Sequence, residues 1–497
     1  MSNYTAILLA VLIGYILINF VVGIYISKKR VSLQEKGGFI SHYFIGNRSM
    51  GGIVLAMTLV ATFTSASSFI GGPGIAYTKG LVWVYLSMIQ VPTAFIILAI
   101  LGKKFGMISR KIGAVTVTDY LKERYQSKTV AILASICLVI FFIAQMMSQF
   151  IGGAVLFQEI TGLSYIYGLA LFGIVVILYT AFGGFRAVVI TDTIQGIIMV
   201  LGGFIMIFTI IHVAGGTDML LAKLNTANPH WSDIAGDGAT PKAFVMSFWV
   251  LVGIGVLGLP QTAVRAMGFK DTKALHKAMI YGSLVVGFLM LVMHISGVFA
   301  PAVLTLPKGV TPDHVIPRLV LQHMHPVVAG LFIAAPLAAV MSTVSSLLLL
   351  ASAGIVKDIY HNYVMVATVK DTSSGEKKIS KLSIFTTLVV GIIVFVFTVY
   401  PPDLIVWINL FAMGGLECAF FCPIIFGLYW KKANATGAVI SMLCGVVGFL
   451  LLNQFKVSMF GTTAIVPGIL ISVLTFVVGS LVGKKTSDDT LKLFFDK

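Results

Sequence analysis

Charge is what this sequence has least of. Charged side chains make up 10% of its 497 residues, against roughly 25% in soluble globular proteins. Acids are scarcest: 18 Asp and Glu stand beside 34 Lys and Arg. With 58% hydrophobic residues and a mean hydropathy of +1.00, the composition excludes an ordinary water-soluble enzyme. There are four cysteines, Cys137, Cys418, Cys422 and Cys444, all in apolar stretches. None has His or carboxylate partners at metal-ligand spacing, so they read as small hydrophobes. No Gly-Lys-Ser/Thr phosphate loop occurs in the polar segments, which argues against direct drive by ATP. The longest polar gaps, 102–128, 214–242 and 354–381, are too short for a soluble domain and are expected to be loops.

What the chain has instead is long apolar runs. Spanning about 30 Å of hydrocarbon takes roughly 20 apolar residues, and about thirteen runs qualify. They lie near 4–27, 51–72, 80–101, 129–157, 163–182, 188–213, 243–264, 274–300, 325–352, 382–400, 404–429, 434–453 and 464–483. The expected fold is an all-α polytopic membrane protein. No basic residue precedes the first run and Lys28, Lys29 and Arg30 follow it, so it reads as a retained span with the N-terminus outside. Thirteen spans then return the C-terminus to the cytoplasm. Of the 34 basic residues all but Lys79, Lys223, Lys242, Lys308, Arg318 and Lys456 fall on the predicted inner side. That asymmetry accounts for the net charge of +16 by contact with an anionic inner leaflet, with no nucleic acid required. The expected location is a bacterial cytoplasmic membrane.

Two runs carry interruptions. The second breaks at Ser65-Ala66-Ser67-Ser68-Phe69-Ile70-Gly71-Gly72-Pro73-Gly74, and the seventh carries Gly253, Gly255, Gly258 and Pro260. Backbone leaves its helical bonds at membrane depth only where the freed groups are buried in protein or line a wet cavity. Broken helices at corresponding places in oppositely oriented halves mark a transporter built of inverted repeats, with its site near the midplane. Residues 51–213 and 243–429 would be the five-plus-five repeats, with residues 1–27 and 434–483 peripheral, all within one transporter domain. In the ninth run Ala339, Ser342 and Thr343 share a helix face, and carbonyls freed near Ala61 and Thr64 would complete a set of neutral oxygens. Such a set suits a monovalent cation, since a divalent one normally recruits more carboxylate. The competing reading is that these hydroxyls merely bond back to their own helix.

The stretches Ser49 to Thr58, Ser65 to Gly74, Tyr179 to Ala187, Ser247 to Val252 and Gly414 to Glu417 resemble the sodium:solute symporter family, and within it the pantothenate branch, over nearly the whole chain. The resemblance includes a Gly183-Gly184 turn common in the family. It implies a sodium site at Ala61, Thr64, Ala339, Ser342 and Thr343. Some relatives bind a second sodium at positions matched here by Asp192, Ser342, Ser345 and Ser346, from which two sodium ions per cycle and electrogenic uptake are expected. Asp192 has the alternative of pairing with Arg186. Sodium is then the cotransported ion, and no organic cofactor is expected.

Pantothenate joins a carboxylate, hydroxyls and an amide to a gem-dimethyl group. Ser67, Ser68, Ser87, Gln90, Gln145 and Gln149 are candidate hydrogen-bonding partners, Val252 and Val256 an apolar wall, and the half-helix beginning near Gly71 a seat for the carboxylate. Positions that carry amide and acid groups in sugar-transporting relatives, or aromatics in proline-transporting ones, are here Ser68, Ser87, Val252 and Val256, which disfavours both substrates. Glu417 reads either as functional or as a protonated acid bonded to a neighbouring helix. Arg265 is expected to snorkel to the inner interface, and His294 to be a satisfied core histidine. The rival functions are a proton-coupled carrier using Asp192, Glu417 or His294, a symporter for another small carboxylate or amino acid such as proline, and a membrane sensor. The 14 residues from Lys484 to Lys497 leave no room for the signalling domain the last would carry.

Overall fold

A computed structural model describes residues 3–29, 48–233, 240–365, 373–459 and 461–496. Side chains at 23–24, 26–29, 183–187, 365 and 373–377 are outside the description. Among the described residues the chain is helical, with one isolated bridge, Met50 to Phe269, and no strand. Eleven helices are long and apolar enough to cross a membrane, or up to 13 spans if each of two bent helix pairs is one span. That agrees with the thirteen runs, because an apolar helix satisfies all its backbone groups internally and needs only length to span.

In chain order the helices that matter are α1 (Asn3–Lys29), α2 (Gly52–Phe63) and α3 (Gly72–Lys79), then α4 (Leu81–Lys111). They continue with α5 (Val117–Tyr125), α6 (Lys128–Thr161), α7 (Tyr165–Ala214) and α8 (Thr217–Ala227). The second half holds α9 (Lys242–Gly258), α10 (Pro260–Met267), α11 (Thr272–Phe299), α12 (Val315–His323) and α13 (Pro326–Ala353). The chain ends with α14 (Ser373–Thr398), α15 (Ile405–Tyr429), α16 (Ala435–Gln454), α17 (Ile465–Val482) and α18 (Asp488–Phe495).

The expected loops are partly helical. α4 continues to Lys111 and α5 follows it, α8 fills part of 214–242, and a π-helical stretch runs on from α13 over Gly354–Met365. Hydropathy registers only the hydrocarbon-spanning part of a helix, whereas a solvated basic end such as Lys103 to Lys111 keeps its backbone bonds outside the bilayer. Helical hydrogen bonding in α7 runs through Gly183-Gly184, where the turn is expected, between the spans Tyr165–Phe182 and Val188–Ala214. Yet Tyr179 faces Thr191 and Gln195, and Tyr179 and Gln195 would stand about 24 Å apart on a straight helix. The chain therefore folds back between them, and α7 supplies two spans.

Both interruptions are real bends. α2 meets the Ser67–Lys79 segment at 67°, and α9 meets α10 at 47°. At the first, Thr64 is extended and a π-turn over Ser67–Gly71 leads into α3. At the second, Leu259 is extended, as a residue before proline is driven to be, and Pro260 starts α10. The two broken spans meet at their ends: Met50, just before α2, exchanges backbone bonds with Gly268 and Lys270, just after α10, in a parallel bridge to Phe269. Gly80 has φ +69°, and a Cβ there would lie 2.6 Å from the Trp231 carbonyl, so only glycine turns the chain from α3 into α4.

Candidate functional site

The break after α2 releases specific carbonyls. In an unbroken helix the Ser65 N–H would bond Ala61 O; here it turns to Ser68 Oγ at 3.4 Å. The Ser68 N–H goes to Ser65 O at 3.0 Å instead of Thr64 O. The Ala61 and Thr64 carbonyls are thus freed, and α13 meets them. Ser342 Oγ donates to Ala61 O at 3.1 Å and to Ala339 O at 3.0 Å. Thr343 Oγ1 donates to Thr64 O at 3.1 Å and to Ala339 O at 2.9 Å. Five neutral oxygens, all from buried residues, therefore converge between the broken helix and α13. Back-bonding and convergence prove compatible, since each hydroxyl reaches its own helix and the break together. The Thr64 hydroxyl is not part of the cluster; it bonds Val60 O and Met199 Sδ.

Beside this cluster lies a small cavity of about 60 Å³. Ser67, Ser68, Ser87, Gln90 and Val252 line it, as do His294, Asn409 and Trp83. Gly71, Gln145, Gln149 and Val256 do not. Gly71 wedges against the start of α15, where a Cβ would stand 3.2 Å from the Val406 nitrogen. Gln149 closes the break from below, accepting the orphaned Ala66 N–H on Oε1 at 2.8 Å. Gln145 joins a chain of amides, accepting from Gln261 at 3.2 Å and reaching Asn409 at 3.4 Å. Val256 is buried, and its carbonyl accepts the Leu259 N–H and the Thr262 hydroxyl beside the second bend. Helix periodicity cannot tell which side of a broken segment faces a void, which is why these four were misplaced.

Three corrections concern ionisable groups. Arg265 does not snorkel: it is fully buried, with Nη2 2.6 Å from Ser346 Oγ and 3.4 Å from Asp192 Oδ2. The bend before α10 turns the last turn of that helix inward, which the sequence does not reveal. Asp192 also accepts the Thr58 hydroxyl at 2.7 Å; its other expected partner, Arg186, lies among the side chains outside the description. His294 is buried as expected but is a cavity residue, its ring so close to Gly72 that a Cβ there would stand 2.2 Å from Nε2. Among the described residues neither Glu417 oxygen has a hydrogen-bond partner, so the bond to a neighbouring helix is absent; the carboxyl rests on Gly255 of α9. Asn409 and Trp83 were missed. A lone amide in an apolar run was a usable signal for Asn409, whereas Trp83 offered none.

A second, wider space of about 600 Å³ opens at Pro402, Asp403, Asn453 and Thr463, on the face that carries the N-terminus of α15. Phe248 and Leu410 line both spaces. Trp83, Phe248 and Trp407 form an edge-to-face cluster between them, with centroids 5.2, 6.0 and 6.5 Å apart. The arrangement is that of a vestibule, an aromatic constriction and a chamber whose lining residues Phe63 and Ser65 adjoin the oxygen cluster.

Comparison with known proteins agrees with this architecture. The profile of the sodium:solute symporter family matches residues 43–445. The chain is 45% identical to the sodium/pantothenate symporter of Escherichia coli over 481 residues, 97% of each chain. It is 44% identical to that of Haemophilus influenzae, over 92% of this chain and 93% of the relative. The fold is similar to that of a Na+-coupled sialic acid symporter solved in a substrate-bound outward-open state, with a TM-score of 0.82 at 21% identity, over 97% of this chain and 99% of that one. The chain belongs to the sodium:solute symporter family, and is a multi-pass, sodium-coupled membrane transporter rather than an enzyme.

Proposed function

We propose that this protein imports pantothenate together with sodium by alternating access. The observation that carries the reading is the cluster of Ala61 O, Thr64 O, Ala339 O, Ser342 Oγ and Thr343 Oγ1 beside the chamber. Sodium there bonds both the break in the first repeat and α13 in the second, so it favours the arrangement in which those elements are together. The same arrangement presents Ser67, Ser68, Ser87 and Gln90 to a solute, with Val252 as apolar wall and the start of α3 near its carboxylate. At about 60 Å³ the chamber is smaller than the range of about 300–1,000 Å³ usual for small-molecule sites, so solute binding requires it to widen. The names of the two relatives near 45% identity support pantothenate over proline. Residues 51–213 and 243–429 serve as the repeats, and the bent span near the start of each supports this. The face bearing the vestibule, poor in Lys and Arg, is outside by the positive-inside rule.

Since sodium and solute act on one conformation, each raises the affinity for the other by the same factor. A tenfold sodium gradient supplies about 1.4 kcal/mol per ion. The test is uptake of labelled pantothenate into proteoliposomes under inward sodium, potassium or proton gradients, with excess proline or glucose as competitors. Sodium-driven accumulation that the competitors leave unchanged is the expected result. Accumulation under the proton gradient alone would move the coupling to a titratable group, and no accumulation under any gradient would reject pantothenate.

A further inference from the structure

The four positions that resemble a second sodium site do not have the space to themselves. Ser345 Oγ donates to Ser342 O at 3.0 Å, and Ser342 Oγ is turned to Ala61 and Ala339. The remaining two groups, Asp192 Oδ2 and Ser346 Oγ, are both engaged by Arg265 Nη2, at 3.4 and 2.6 Å. The side chains of Arg265 and Asp192 are 1% and 0% exposed. A guanidinium is a permanent cation, so among the described residues one positive and one negative charge already balance in a volume closed to water. Adding a sodium ion would leave that volume with an uncompensated positive charge beside another cation, the situation buried sites avoid. Residues that fit a second sodium by sequence therefore do not fit one in the fold.

We infer that Arg265 is a built-in cation standing where a second sodium would bind, and that the protein moves one sodium with one pantothenate and no net charge. This rests on the sodium/pantothenate reading. The five-oxygen cluster is uncharged, so the cargo alone sets the charge that crosses: one sodium ion and one carboxylate, which sum to zero. Removing the guanidinium while keeping much of its stem, as in Arg265→Met, leaves Asp192 buried without a counter-charge and its oxygens open to a second sodium.

The experiment measures initial fluxes of radioactive sodium and labelled pantothenate in the same proteoliposomes, at membrane potentials set by potassium and valinomycin. The wild-type protein should show a flux ratio of one, a hyperbolic sodium dependence and uptake indifferent to potential. Arg265→Met should raise the ratio toward two, give a sigmoidal sodium dependence and make uptake potential-driven, its steady-state accumulation rising about 50-fold per 100 mV for one net charge. The double variant Asp192→Asn with Arg265→Met, neutral again, should return to one sodium and to potential-independence. A fold defect would lower all fluxes without changing their ratio. A wild-type ratio of two, or wild-type uptake that follows the potential, overturns the inference whether or not the variants fold. Absence of any sodium-driven pantothenate flux in the wild-type protein instead overturns the functional reading and this inference with it.

Discussion

Ser342→Ala tests the proposed sodium site with the smallest change. The substitution deletes one oxygen that reaches Ala61 O at 3.1 Å and Ala339 O at 3.0 Å, and leaves a methyl of similar size in a fully buried position. A bond between a polar group and an ion contributes about 1.5–3 kcal/mol. At about 1.4 kcal/mol per tenfold, losing one of five ligands should raise the half-saturating sodium concentration by roughly 10- to 140-fold. The linkage sign follows: at low sodium the apparent pantothenate affinity falls by the coupling factor, and at saturating sodium it recovers. Uptake at trace pantothenate over a sodium series, followed by the pantothenate KM at the highest sodium, separates the two. The reasoning is refuted if Ser342→Ala leaves the sodium dependence unchanged, or if it alters the pantothenate KM equally at low and saturating sodium. Thr343→Val, which keeps the β-branch and removes the hydroxyl, should behave the same way through its contact with Thr64 O at 3.1 Å.

Four further outcomes follow from the packing and the charges. A Cβ at Gly297 of α11 would lie 2.2 Å from the Pro73 carbonyl oxygen, backbone against backbone, whereas one at Gly282 on the same helix meets nothing nearer than 3.4 Å. Gly297→Ala should therefore cost about 1–3 kcal/mol and abolish uptake, with Gly282→Ala as the tolerated control; thermal unfolding of the detergent-solubilised protein reads both. Gln149→Leu orphans the Ala66 N–H and should destabilise by about 1–3 kcal/mol in the same assay. Glu417→Gln should leave sodium-dependent uptake unchanged, because the carboxyl has no hydrogen-bond partner among the described residues and faces Gly255 rather than the chamber; loss of uptake would show the acid to be functional. Asp313, between α11 and α12, is pushed up to about 6 by burial, against the opposing effect of the Ile405 N–H that it accepts. Its folded pKa is the raised one, so its contribution to stability is complete below about 4 and is lost as pH rises through about 6. Asp313→Asn should remove that fall in melting temperature between pH 4 and 7.

The bends and the site were legible to different depths. The hydroxyls at Ser342 and Thr343 stand one helical face from Ala339, and a break of Gly and Pro in an apolar run frees carbonyls wherever it falls, so the oxygen cluster followed from local rules. The lining of the chamber followed only in part. Ser67, Ser68, Ser87, Gln90 and Val252 reach it, but Gln149 is spent on a freed N–H and Gln145 on a chain of amides. Polar residues in a membrane helix must find a partner, and sequence does not say whether that partner is solute or backbone.

By itself the sequence determined the membrane class, the number of spans, the two interruptions and the set of neutral oxygens, because each depends on hydropathy, helix periodicity or residues adjacent in the chain. Only the tertiary structure decided that Arg265 turns inward to Asp192 and Ser346, that His294 and Asn409 face the chamber, and that Trp83, Phe248 and Trp407 close it from the vestibule. Those outcomes hang on two bend angles and on helices that are distant in sequence. A rotation of one helix by a single residue moves a side chain by about 100°, and only packing against neighbours chooses among such rotations.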